Sequence, residues 1–271
     1  MNDSGTLDAE VINPSLSIER QGKVGWVILN RPEQINAIND DIRHGVPKAL
    51  RAFDEDVRIG AIVIRGAGSR GFCAGADIKE QRGAETSIEV RKRMETTRWV
   101  ETIDHINTPV IAAVHGYCMG GGLELALACD IRFGSPDALM SLPETGLGLI
   151  PGGGGTQRLP RVVGPAKALD MMLTGARVGA EEALSIGLIT RLSASADTHL
   201  TEVSELAAAV AARPPLATAY VRRAARTALD VELTKGLDLE LDLFALLKNS
   251  EDAKEAAEAF KEKRSPQFTG R

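Results

Sequence analysis

Aromatic side chains are scarce in this chain. Phe, Tyr and Trp make up 4% of its 271 residues, so any core must be filled by Ala, Leu, Ile and Val, and an apolar content of 44% is enough to build a large one. Excess basic charge is also missing. The net charge is −5, with no basic stripe and no interleaving of basic and aromatic residues, which argues against a nucleic-acid binder. No apolar run approaches the roughly 18–20 residues of a membrane span. Met1 to Glu10 is polar and acidic, without the charged and apolar blocks of a signal peptide. The three cysteines, Cys73, Cys118 and Cys129, have neither metal-ligand spacing nor an even disulfide count. They read as small buried residues in a reducing compartment, and the expectation is a cytoplasmic enzyme.

Several familiar signatures fail on their context. Gly66-Ala67-Gly68-Ser69-Arg70-Gly71 has the GxGxxG spacing of a dinucleotide turn. The residues that follow, Phe72 to Asp77, are poorly helical, whereas a dinucleotide turn opens a helix. The glycines at 152 to 155 lack the Lys-Ser/Thr that ends a phosphate loop. No Gly-x-Ser-x-Gly elbow exists, which weakens a serine hydrolase. The four histidines are scattered and read as core or surface residues.

What the chain does have is alternation. Residues 1 to 13 read as a loose tail. Leu16 to Gln21 and Val24 to Leu29 read as a hairpin about Gly22-Lys23. Asn39 caps an expected helix to about Asp56, with Ile42, Val46, Ala49, Leu50 and Phe53 at helical spacing. Short strands are expected at Ala61 to Ile64, Pro109 to Val114, Ile131 to Phe133 and Leu139 to Ser141, and one long helix over about Ser87 to Ile106. Beyond about residue 195 the pattern is helical, with apolar spacing at Val203, Leu206, Ala207 and Val210, at Leu237, Leu241, Phe244 and Leu247, and after a Ser250 cap at Ala253, Ala256, Ala257 and Phe260. The chain thus divides into a core of residues 1–195 and a helical part, 196–271.

Two glutamates stand out in the glycine-rich third. Glu124 follows Gly120-Gly121-Gly122 in an Ala/Leu segment, and Glu144 follows Pro143 in a turn. A carboxylate among residues that read as buried or tightly turned is costly unless it has a task. Singly, Glu124 also reads as a helix-start acid favoured by the dipole, and Glu144 as a turn carboxylate. Facing one cavity, the two would hold a water and move protons. The glycines let backbone approach a ligand, and a helix N-terminus offers unpaired N–H groups. With Gly75-Ala76-Asp77 as a second exposed backbone segment, two N–H groups would clamp one carbonyl oxygen.

In order, Leu29-Asn30-Arg31-Pro32-Glu33 with Asn36-Ala37, Phe72 to Lys79, Gly116 to Asp130, Leu142 to Arg158, and Leu173-Thr174-Gly175 with Ala180 to Ala183 and Gly187-Leu188-Ile189 resemble the enoyl-CoA hydratase (crotonase) family over nearly the whole chain. Gln34-Ile35 stands where many relatives carry a basic residue. The resemblance implies an α/β spiral of β-β-α repeats with a C-terminal helical region used in trimer assembly. It implies that the N–H groups of Ala76 and Gly121 hold a thioester oxygen, and that Glu124 and Glu144 are the two catalytic glutamates of a hydratase. It places coenzyme A against Ala37, Ala74, Ala76, Asp77, Ile78 and Gly121, with Phe260 and Lys263 reaching coenzyme A held largely by a neighbouring subunit. It implies no metal and no separate cofactor, an acyl-CoA thioester substrate, and a trimer or dimer of trimers. An isomerase, another acyl-CoA lyase of the family and a non-catalytic relative are the alternatives. Ile88 to Met94, Trp99, Leu147 and Leu149 are candidates for the acyl pocket.

Overall fold

A computed structural model describes residues 8–80 and 83–271. Ten strands, β1 (Asp8–Asn13), β2 (Leu16–Gln21), β3 (Val24–Leu29), β4 (Ala61–Gly66), β5 (Val110–Val114), β6 (Tyr117–Met119), β7 (Ile131–Gly134), β8 (Leu139–Ser141), β9 (Val178–Gly179) and β10 (Arg191–Leu192), form two sheets among these residues. The larger runs β1-β2-β3-β4-β5-β7-β10. Its first three strands are antiparallel and the rest parallel. The smaller runs β6-β8-β9.

Helix α1 (Asp40–Glu55) follows β3, and α2 (Ser87–Thr97) and α3 (Thr102–His105) follow β4. Then come α4 (Gly121–Ala128), α5 (Gly155–Val163), α6 (Pro165–Thr174) and α7 (Ala180–Ser185). Successive units place one strand in each sheet and then a helix, as in β5-β6-α4. The smaller sheet is extended by isolated bridges, Cys73 to Cys118 and Ile38 to Ala76. That extension lays the Ala74–Asp77 segment beside β6.

The hairpin, the Asn39 cap and the Ser250 cap stand where the sequence puts them. Asn39 Oδ1 accepts from the Ile42 N–H at 3.1 Å, and Ser250 Oγ from the Ala253 N–H at 3.1 Å. Strand β3 is buried along its whole length because both sheet faces are covered. One face packs Leu16, Val27, Leu29, Ile62 and Ile64 against α1 and its neighbours. On the other, Trp26, Val63, Ile111 and Phe133 pack beneath Val203, Ala207 and Ala211 of α8 (His199–Ala211). After α8 the chain continues as α9 (Pro215–Thr227), α10 (Leu233–Lys248) and α11 (Glu251–Glu262).

Two expectations are corrected. Residues 8–13 are not a loose tail but strand β1, paired with β2 from Asp8–Arg20 to Asn13–Leu16; residues 1–7 lie outside the described residues. The long helix over 87–106 is broken. It stops at Arg98, at φ 22°, and resumes only as the single turn α3. Helix α2 buries none of its residues, whereas Val100 and Ile103 are almost fully buried. The chain must turn inward between them, and one straight helix cannot satisfy both.

Candidate active site

Glu124 sits in the first turn of α4, 4% exposed, in a helix whose other side chains are Leu and Ala. Its Oε1 accepts two backbone N–H groups, from Gly153 at 2.7 Å and Gly155 at 2.8 Å. Burial pushes the Glu124 carboxyl pKa up; the N–H groups of Gly155 and Gly153 oppose the rise, the charge of Glu101 adds to it, and Arg158 opposes it. These glycines explain what the run at 152–155 is for. Gly154 has φ 103°, which turns the flanking N–H groups onto one oxygen. An ideal Cβ on Gly153 would lie 2.8 Å from Glu124 Oε2, and one on Gly155 3.0 Å from Oε1. The sequence reading missed this cradle. Its signal was a glycine run immediately before the helix-forming Thr156-Gln157-Arg158.

Glu144 opens the 3₁₀ turn Glu144–Leu147 after β8. It is half-buried, and its Oε2 is shielded from solvent with no hydrogen-bond partner. Burial is the main cause raising its pKa; its own backbone N–H opposes the rise, and the charge of Glu124 adds to it. An ideal Cβ on Gly120 would stand 3.0 Å from Glu144 Oε1, and one on Gly121 3.9 Å from both Glu124 Oε2 and the Ala76 nitrogen. An ideal Cβ on Gly75 would stand 3.4 Å from the Gly121 nitrogen. Both carboxylates and both backbone nitrogens therefore border one small space.

The two N–H groups are free for a geometric reason. Ile38 donates to the Gly75 carbonyl at 2.8 Å and accepts from the Asp77 N–H at 3.0 Å. In that parallel bridge the N–H of Ala76, between them, points away from Ile38. Gly121 is the first residue of α4, where no carbonyl precedes it in the helix. Among the described residues neither N–H donates to an acceptor.

Asn36 holds this wall in place. It is fully buried at φ 55°, and its Nδ2 donates to the carbonyls of Ala67 and Gly71 at 3.0 and 2.9 Å. The loop that resembled a dinucleotide turn is thereby pinned as a connection to the Ala76 segment.

Of the other sequence candidates, Ala37 is buried, and Ala74 and Ile78 are exposed. Asp77 is tied to Arg31 at 2.8 Å. Met94 reaches Gly152, its Cε 2.9 Å from an ideal Cβ there, whereas Trp99 packs on the core and Ile88, Leu147 and Leu149 are exposed. Phe260 and Lys263 are exposed at the end of α11, which makes no substantial packing contact with the elements carrying the two glutamates. Among the described residues no cluster of three or more His, Cys, Asp or Glu is placed to hold a metal, and no helix is long and apolar enough to cross a membrane.

Comparison with known proteins decides the family. A family model described as Enoyl-CoA hydratase/isomerase matches residues 19–271. The chain belongs to this family, the crotonases. It is 38% identical over 256 residues to the mitochondrial enoyl-CoA hydratase of Pongo abelii, covering 92% of this chain and 86% of that protein. It is 35% identical over 255 residues to the crotonyl-CoA hydratase of Syntrophomonas wolfei, covering 94% of this chain and 97% of that one. The crystal structure of an enoyl-CoA hydratase from Bacillus anthracis superimposes with a TM-score of 0.89 at 34% identity, covering 95% of this chain and all of that chain. The two-sheet spiral and its helical C-terminal region are thus the crotonase fold.

Proposed function

We propose that this crotonase is an enoyl-CoA hydratase, adding water reversibly and syn to a trans-2-enoyl-CoA to give a 3-hydroxyacyl-CoA. The observation that carries this reading is the convergence of one buried and one half-buried carboxylate on the space bordered by two unpaired N–H groups. The thioester oxygen accepts from Ala76 and Gly121. That polarises the conjugated double bond and stabilises the enolate-like charge of the transition state; one such donor is worth about 10²–10³ in rate. Glu124, with Oε1 saturated by two N–H groups, presents Oε2 to the water and takes its proton as the oxygen bonds to the β-carbon. Glu144, whose Oε2 has no hydrogen-bond partner among the described residues, delivers a proton to the α-carbon. Atoms balance as one water added across one double bond, and no redox step occurs.

Coenzyme A lies along Ala37, Ala74, Asp77 and Ile78, and Phe260 and Lys263 meet it from a neighbouring subunit of a trimer or dimer of trimers. The exposed apolar residues of α10 and α11, Leu237, Leu241, Phe244 and Phe260, favour such an assembly. Isomerisation of a 3-enoyl-CoA is the second reading, favoured by the unpartnered Glu144 oxygen, which suits a proton shuttle between α- and γ-carbons.

Glu144→Gln tests the assignment. The amide keeps the shape but cannot carry the proton, so hydration of a 2-enoyl-CoA, followed by loss of conjugated-thioester absorbance, should fall by at least about 10²-fold with acyl-CoA binding nearly intact. Near wild-type turnover overturns the role. Wild-type turnover of 3-enoyl-CoA exceeding hydration would favour the isomerase.

A further inference from the structure

A second cavity, of about 620 Å³, lies between α5, α9 and the end of α4. Six arginines line it, Arg132, Arg158, Arg161, Arg213, Arg222 and Arg226, with Asp130 as its one lining carboxylate. In a chain of net charge −5 this is a strong local reversal.

The carboxylates at hand do not balance these cations. Asp130 is shared by Arg222 at 2.7 Å and Arg226 at 2.8 Å, and Asp104, behind the wall, by Arg158 and Arg226. Arg161 reaches Asp230 only at 3.4 Å. Arg132 is 8% exposed and donates to two carbonyls, of Leu188 at 2.7 Å and Cys129 at 2.9 Å; among the described residues no carboxylate lies within ion-pair distance of it. Arg213 is exposed at the rim, its guanidinium without a partner among the described residues. A buried guanidinium bonded only to carbonyls keeps its charge in a poorly solvated place, here offset only from a distance, Asp130 among the groups that favour its charged form. Desolvation accordingly lowers the Arg132 pKa from its usual value.

Guanidinium forks match carboxylate and phosphate oxygens in pairs. We infer that this cavity binds a small polyanion, a polycarboxylate or a phosphorylated metabolite, with Arg132 at its floor, its Nε and Nη1 held by carbonyls, and Arg161 and Arg213 at its rim; Arg222, engaged by Asp130 and the Ile103 and Ile106 carbonyls, adds charge to the wall with each of its nitrogens already bonded. Val162, Val210 and Val221 add apolar wall, against which a carbon framework of the ligand would pack. The site is separate from the space between Glu124 and Glu144, although α4 and α5 border both. Coenzyme A is not the occupant assigned here, and the inference holds whether the enzyme hydrates or isomerises.

The test uses the full-length oligomeric protein. Citrate and pyrophosphate are titrated separately at ionic strength matched with sodium chloride, with melting temperature and calorimetric binding as readouts. A saturable stabilisation by at least one, half-maximal below about 1 mM, is expected. Citrate alone would mark a polycarboxylate site, pyrophosphate alone a phosphate site. The exposed pair Arg161→Gln/Arg213→Gln should raise the half-saturating concentration at least about tenfold. Arg51→Gln, on the exposed side of α1, should leave it unchanged. Melting that follows only ionic strength, or binding untouched by the double substitution, overturns the site. So does a double variant that merely dissociates the oligomer, which would make the cavity a seat for a neighbouring subunit.

Discussion

Gly153→Ala adds one methyl group against the Glu124 carboxylate. The new Cβ would lie 2.8 Å from Oε2 and 3.1 Å from Cδ. Ordinary contact begins near 3.4 Å, so something must yield by about 0.5 Å. The backbone imposes no barrier of its own, because Gly153, unlike Gly154, does not have a positive φ. The carboxylate cannot simply slide, because Oε1 is held at 2.7 and 2.8 Å by the Gly153 and Gly155 N–H groups. Either the carboxylate tilts away from the reacting water or the glycine loop retreats and loosens those bonds. A 1 Å misplacement costs about 10²-fold, so half of that should cost about tenfold in kcat, or about 1.4 kcal/mol of barrier, with KM within about twofold.

Loosened N–H bonds also stabilise the ionised carboxylate less, so its already raised pKa rises further. In the proposed mechanism Glu124 acts ionised, so activity is lost as pH falls through its pKa, and the acid limb of the pH–rate profile should move to higher pH. Steady-state hydration of a short 2-enoyl-CoA across pH supplies both readings. Gly146→Ala, where a Cβ meets nothing within 4 Å, is the control. A Gly153→Ala enzyme with kcat within twofold of wild type and an unmoved acid limb would refute the cradle as a positioning device.

Gly121→Pro removes an N–H at the first position of α4, a position that proline tolerates well. Hydration should fall by at least about 10²-fold with circular dichroism and oligomer size retained, and a folded active variant removes Gly121 from the mechanism. Lys263→Ala should raise KM for the CoA ester with little change in kcat, and deleting residues 250 to 271 should weaken the oligomer; a truncated protein of unchanged mass by light scattering and unchanged KM excludes both roles. His199 is buried against Phe133, with Nδ1 2.6 Å from Ser193 Oγ, and burial holds its pKa down to about 4. The unfolded imidazole protonates near pH 6.5 and the folded one not until about 4, so stability should fall as pH drops through that window. Denaturant melts of wild type and His199→Gln across that range check it: equal pH dependence in both would exclude His199 as the cause.

Local patterns determined much of this protein. The hairpin about Gly22-Lys23, the Asn39 and Ser250 caps and the buried strands follow from turn chemistry, capping side chains and apolar runs, which act over a few residues. The same locality made Glu124 and Glu144 legible, because a carboxylate amid Gly, Ala and Leu is anomalous wherever the chain goes. Tertiary structure decided the rest. The 87–106 segment breaks because Val100 and Ile103 must enter the core while α2 stays on the surface, a demand set by distant packing partners. Strand β1 exists because β2 offers an edge to pair with. The glycine run at 152–155 could be assigned no task until folding brought it against Glu124, 29 residues earlier at the Gly153 bond. Six arginines from β7, α5, α9 and the segment just after α8 gather at one cavity only because folding brings these elements together at the end of α4. Short-range chemistry names the groups, and convergence of segments far apart in sequence sets the fields, hydrogen bonds and burial in which those groups act.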